Sequence, residues 1–132
     1  MKKLLHQATG RNTRIVVIDS GINKEHSLLK DANIMKGSIA IHGSGNDIWI
    51  DHNIDDKFGH VTAVCGILRK LIPDAEIFIV KIFDELSLRA DETKLIFALE
   101  YIYKNVHCDI IHLSLGIIIP SSRLHELCKH EI

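Results

Sequence analysis

Apolar residues run unbroken from Ile15 to Ile18, and the run stops at Asp19-Ser20-Gly21. A short β-branched run of this kind predicts a strand buried on both faces, as in the interior of a parallel sheet. The residues before it, 1–13, are mostly polar and read as a lead-in arm. Residues 22–32 read as a loop with a short helical turn. Asn33 to Ile41 alternates imperfectly and is expected to form a second strand. Gly43 to Asp47 then reads as a turn and Ile48 to Ile50 as a short strand. Asp51 to Gly59 is an acidic, polar loop. From His60 to Leu71 the period changes: Val61, Val64, Cys65 and Leu68 follow the spacing of a buried helix face, and Pro73-Asp74 ends the helix. Glu76 to Phe83 is the next strand and Asp84 to Ala90 a polar connection. Asp91 is a plausible N-cap for a helix to about Asn105, with Leu95, Ala98, Leu99 and Ile102 on one face. Asp109 to Leu115 is another buried strand, closed by Gly116. Ser121 or Ser122 caps a last helix with Leu124, Leu127 and Cys128 on one face.

Strands alternating with helices imply βαβ units and a parallel sheet with right-handed crossovers. Functional groups gather at the carboxyl ends of the strands in such sheets, which is where Asp19 and Gly116 fall. Composition agrees: the 132 residues are 46% hydrophobic and 25% charged, enough for one domain with a real core. Sixteen basic and 17 acidic side chains leave a net charge of −1, so neither nucleic acid nor a membrane is expected as a partner. The longest apolar stretch, Ile110 to Pro120, is interrupted by His112, Ser114 and Gly116 and is too short to span a bilayer. The N-terminus begins like a signal peptide, but Gln7, Thr9, Arg11 and Asn12 leave no apolar core to it, so a cytoplasmic location is expected. Cys65, Cys108 and Cys128 are odd in number and widely spaced, which reads as buried free thiols, not a disulfide framework. Nine histidines raise the question of a metal site. None has the spacing that puts two ligands on one face, so no metal or other cofactor is expected.

Three segments carry chemistry: Val17-Ile18-Asp19-Ser20-Gly21-Ile22, Asp56 to Ile67, and Ile111-His112-Leu113-Ser114-Leu115-Gly116. Singly each has an ordinary explanation. An aspartate after a strand is commonly a turn residue, and Asp-Ser-Gly also opens some phosphate-binding loops, although here no Gly-rich cradle or placed lysine accompanies it. Taken in order, they fit an aspartate at a strand tip that orients a histidine at the start of a neighbouring helix. Such an aspartate holds the imidazole tautomer and stabilises the imidazolium.

In this set the chain resembles the subtilisin-like serine proteases, the subtilases. Val-Ile-Asp-Ser-Gly-Ile is similar to the family's Asp motif, and Glu25-His26-Ser27-Leu28-Leu29 to the segment after it. Asp56 to Ile67 is similar to the His motif. Pro73 to Ile82 and Asp109 to Gly116 resemble the strands on either side of the substrate groove. The resemblance covers about residues 14 to 119. It implies an α/β fold of three layers, with a mostly parallel sheet, helices on both faces, and an incomplete peptidase domain over residues 14–132. By position, Asp19 would be the orienting acid and His60 the general base and acid. Ser114, Leu115 and Gly116 would line the groove and pair with an extended peptide or protein substrate as an added strand. A histidine's ordinary pKa of about 6.5 suits that base at neutral pH.

The chain also departs from the family. Val61 stands where the family usually has glycine directly after the histidine, and is expected to crowd the groove or shift His60. Ala63 replaces a second histidine that is not the base. The family's Gly-Thr-Ser nucleophile motif and its oxyanion asparagine have no counterpart after Gly116. Ser121 and Ser122 follow Pro120 and are better explained as helix caps. The expected function is therefore a serine endopeptidase domain holding only Asp and His of the triad and inactive alone, either a truncated product or one half of a split enzyme whose Ser half is a separate chain. The alternative is a non-catalytic peptide-binding or regulatory domain that kept the groove.

Overall fold

The computed structural model describes residues 8–56, 59–83, 91–113 and 122–130. Five strands, β1 (Arg14–Asp19), β2 (Ile39–Ser44), β3 (Asp47–Asp51), β4 (Glu76–Lys81) and β5 (Ile110–Leu113), form one sheet in the order β3-β2-β4-β1-β5. Three helices, α1 (His60–Leu71), α2 (Glu92–Asn105) and α3 (Ser122–His130), accompany them, with a short 3-10 turn at Ser27–Leu29. Strand β1 pairs in parallel with β4 on one side and β5 on the other. Strand β2 also runs parallel to β4, whereas β2 and β3 make an antiparallel hairpin. The sheet is thus α/β and mostly parallel.

The strand side chains alternate between two cores, as the pleat requires. Val16 and Ile18 of β1, Ile39 and Ile41 of β2, and Phe78 and Val80 of β4 pack with Leu95, Ala98, Leu99 and Ile102 of α2 and Leu124 and Leu127 of α3. Ile15 and Val17 of β1 and Ile77 and Ile79 of β4 point the other way, to Val61 and Cys65 of α1 and to Ile22, Leu29 and Ile54. Three layers result, with α2 and α3 on one side of the sheet and α1 on the other. The unbroken apolar run of β1 is explained by its central place between two covered faces.

Some boundaries shift from expectation. Strand β2 begins at Ile39, not Asn33. Residues 33–35 instead run alongside β4 through a single bridge, Ile34 to Ile77, and a hydrogen bond from the Met35 N–H to the Ile77 carbonyl. The glycine-rich segment is mostly strand: Gly43 and Ser44 belong to β2, leaving Gly45-Asn46 as a two-residue hairpin turn. Cys65 is buried, Cys108 half-buried and Cys128 exposed on α3, so only the first thiol fits the buried reading. The helix period puts Leu124 and Leu127 inward, and Cys128 falls at the margin of that face. The end of the lead-in arm is tied to the chain after α1: the Asp74 N–H donates to the Thr9 carbonyl, and the Glu76 N–H to that of Thr13. Among the described residues, no helix is long and apolar enough to cross a membrane.

Candidate active site

Strand β1 ends at Asp19, and its carboxylate is almost fully buried, with 6% of the side chain exposed. Its Oδ1 accepts the Ser20 N–H at 2.6 Å, and its Oδ2 lies 2.7 Å from His60 Nδ1. An ionised carboxylate can only accept, so the ring proton sits on Nδ1 and leaves Nε2 as the free acceptor. The His60 side chain is 57% exposed, so one edge meets the acid and the rest faces solvent. His60 is the first residue of α1, where the helix macrodipole favours a neighbouring anion such as Asp19.

The helix start has an unusual form. Gly59, the N-cap, has a φ of 76°, left-handed, and supplies no side-chain cap. Glycine takes that conformation without strain, so the chain can turn sharply into α1 at His60. Val61 does not displace His60. It is fully buried among Val17, Ile22, Ile54 and Cys65 under α1, its backbone is helical, and His60 keeps its bond to Asp19. The branched residue is tolerated because this turn of helix points it at the core.

Behind the pair lies apolar packing. Burial first, and the negative charge of Asp19 second, push the Cys65 thiol up to about 12. That sulfur is a packing group, not a nucleophile.

Two further layers of contact surround the acid. Ser20 Oγ donates to Asp56 Oδ2 at 2.8 Å, both residues being buried. Lys81, at the end of β4 in register with Asp19, is buried and donates from Nζ to the Asp55 carbonyl at 2.6 Å. The Asn23 N–H donates to Thr62 Oγ1 of α1 at 3.0 Å. Ser20 and Asp56 lie inside the sequence motifs and Lys81 in the strand after α1, and the sequence alone assigns them no role. The available signal was a lysine in an otherwise apolar run, Ile-Phe-Ile-Val-Lys-Ile-Phe, beside the strand tip that carries Asp19.

Of the residues singled out from sequence, Asp19 and His60 come together. Ser114, Leu115 and Gly116 lie outside the described residues, as do Asp84 to Ala90. Among the described residues the other histidines are dispersed. His26 caps the 3-10 turn, its Nδ1 accepting from the Leu28 N–H, and His52 Nδ1 is 3.0 Å from the Ser38 carbonyl. His42 stacks on Trp49 with ring centroids 4.2 Å apart and sits 3.1 Å from Asp51 Oδ2. Among the described residues no three His, Cys, Asp or Glu side chains gather as a metal site.

Comparison with known proteins adds a family. The model described as Subtilase family (Peptidase_S8) matches residues 10–130. A curated relative, "Minor extracellular protease Epr" of Bacillus subtilis (strain 168), is 29% identical over 127 residues, covering 89% of this chain and 18% of that protein. Two solved structures share the fold. "Crystal Structure of a Lanthipeptide Protease" aligns with a TM-score of 0.64 at 21% identity, over 87% of this chain and 32% of that one. "Structure of Prenylagaramide maturation protease PagA" aligns with a TM-score of 0.61 at 20% identity, over 96% and 44%. The chain therefore spans under a fifth of the curated relative and under half of either solved protease.

Proposed function

The chain belongs to the subtilase family, and on that footing we propose that Asp19 and His60 are two members of an Asp-His-Ser triad for peptide-bond hydrolysis. The observation that carries the reading is the 2.7 Å contact between a buried Asp19 carboxylate and an exposed His60. Asp19 holds the ring with Nδ1 protonated, so Nε2 is free to take the proton of a serine hydroxyl and then return it to the leaving amine. The imidazolium formed between these steps is stabilised by the Asp19 charge, which stays ionised throughout. Burial strengthens this interaction because water does not compete for the carboxylate.

The substrate is an extended peptide or protein, bound along Ser114, Leu115 and Gly116 as an added strand. The names of the solved neighbours, a lanthipeptide protease and a prenylagaramide maturation protease, are in keeping with a peptide substrate. The 132 residues hold no Gly-Thr-Ser segment, so the nucleophile and oxyanion donor belong to polypeptide outside them, on the same or a separate chain. These residues alone do not hydrolyse peptides.

A serine-directed fluorophosphonate probe tests this directly. The purified 132-residue chain is expected to stay unlabelled and to leave a peptide substrate uncut. Labelling that disappears when a serine within the chain is replaced would overturn the assignment of the nucleophile elsewhere.

A further inference from the structure

Catalysis by an acid and base on separate elements depends on the distance between those elements. Asp19 ends a strand and His60 begins a helix, and 40 residues of chain separate them. Their contact does not fix itself: a single hydrogen bond to a ring that is more than half exposed leaves the imidazole free to swing toward water. Something else must hold the strand tip against the start of the helix.

The buried polar groups next to the pair make that connection. The loop 54–56 runs beside the chain just beyond β1, where the Ile22 N–H donates to the Ile54 carbonyl at 2.7 Å and the Asp56 N–H to the Ile22 carbonyl at 3.2 Å. Asp56 accepts the Ser20 hydroxyl, and Ser20 in turn donates its N–H to Asp19. Lys81 also secures the loop, through the Asp55 carbonyl. Its stem crosses Gly21: a Cβ there would stand 3.0 Å from Lys81 Cδ and 3.1 Å from Asp56 Cβ. Asp56 precedes His60 by four residues, and Ser20 follows Asp19 directly. The junction therefore adjoins the acid directly and stands four residues ahead of the base along the chain.

We infer that Ser20, Asp56 and Lys81 form a buried brace that sets the separation of Asp19 and His60, and that all three are positioning residues for this pair. The inference rests on the proposed triad reading. Burying an aspartate and a lysine is costly unless their hydrogen bonds are made, so these groups hold one arrangement and resist intermediate ones. Ser20 is the pivot. Its N–H orients the acid, and its hydroxyl ties the acid's neighbour to the loop that carries the base.

The test uses the full 132-residue chain labelled with ¹⁵N, with the His60 ring observed by NMR at mildly alkaline pH. The unsubstituted chain is expected to show one tautomer, protonated at Nδ1, with a low-field, slowly exchanging Nδ1 proton. Asp19→Asn loses that signature, and an Asp19→Asn spectrum unchanged at His60 would overturn the pairing itself. Ser20→Ala is expected to broaden or abolish the Nδ1 proton and to populate the Nε2–H tautomer, whereas Ser20→Thr, which keeps the hydroxyl, retains the signature. Lys81→Met keeps the stem beside Gly21, removes the ammonium, and gives the same loss as Ser20→Ala; it carries the test where Ser20→Ala does not fold. Ile102→Val, in the opposite core, is the control for simple destabilisation and leaves His60 unchanged. A folded Ser20→Ala or Lys81→Met chain with an unaltered His60 signature, beside an Asp19→Asn chain that has lost it, overturns the brace and leaves the pair standing.

Discussion

Gly21 and Gly59 both have positive φ, at 107° and 76°, yet their neighbourhoods differ. A Cβ at Gly21 would stand 2.6 Å from the Ile54 carbonyl oxygen, which is backbone and cannot move aside, whereas at Gly59 it would meet nothing within 4 Å. Gly59→Ala therefore suffers only conformational strain, about 1 kcal/mol, and Gly21→Ala adds a steric clash, for a loss above about 2 kcal/mol. Urea denaturation of the two variants measures the difference. The cysteines separate by environment in the same way. Cys128 is exposed and Cys65 is buried with its thiol pushed up to about 12. A thiol reagent at neutral pH is expected to modify Cys128 readily and Cys65 only on unfolding, as mass spectrometry of the labelled chain will show. The raised value also has a consequence for stability. Between the ordinary thiol range of about 9 and the raised value, only the unfolded chain ionises at Cys65, so this residue lowers stability as the pH rises through that window.

At the scale of elements, the two long helices begin differently. Helix α2 has an aspartate cap: Asp91 accepts from the Thr93 N–H at 3.1 Å and from its hydroxyl at 2.6 Å. The Thr93 hydroxyl, then its N–H, hold the Asp91 carboxyl below its ordinary value. A depressed carboxylate stabilises the fold above the unfolded value of about 3.9 and loses that contribution as the pH falls through the lowered value. Asp91→Ala is accordingly expected to cost about 1 kcal/mol at neutral pH. The cost shrinks towards zero in strong acid, which denaturant midpoints across pH will register. Helix α1 gives up such a cap, because its first turn is occupied by His60 and its N-cap by the glycine that turns the chain. The β2–β3 hairpin is held at its middle pair by the His42–Trp49 stack and at its open end by Asp51, whose carboxyl is lowered chiefly by the Asn53 N–H, with His42 contributing less. Its antiparallel pairing is not legible in the local sequence. Gly43 to Asp47 reads as one turn because a hairpin with a glycine inside a strand has the same local composition as a loop.

For the molecule as a whole, the strand order places β1 at a protected position and β3 and β5 at the ends of the described sheet. Amides of Val16 and Val17, in a strand paired on both sides and covered by helices on both faces, are expected to exchange hydrogen most slowly. Those of β3 are expected to exchange fastest among the strands, and native-state exchange will rank them. Strand β5 carries Ile110 and Leu113 with substantial exposure, an unusual condition for a parallel strand, which is normally covered on both faces. Concentration-dependent association is expected in sedimentation velocity, and Ile110→Lys is expected to weaken it by placing a charge at that edge. An Ile110→Lys chain that associates as strongly as the unsubstituted one would place the contact elsewhere.

The amino-acid order by itself marked the strands, the helices and the two chemical groups, while the three layers came as what the family resemblance implies. Apolar runs open to both faces marked β1 and β4, a period of 3.6 marked α1 and α2, and an aspartate at a strand tip with a histidine before a buried helix face marked Asp19 and His60. These are local signals, because a strand or helix must bury one set of positions whatever it packs against. Only the tertiary structure decided the rest. It put β4 between β2 and β1, set His60 against Asp19, turned Val61 into the core, and joined Ser20, Asp56 and Lys81 around Gly21. Which polar groups meet inside a protein depends on the register and crossing of distant segments, and no spacing within a single segment encodes that.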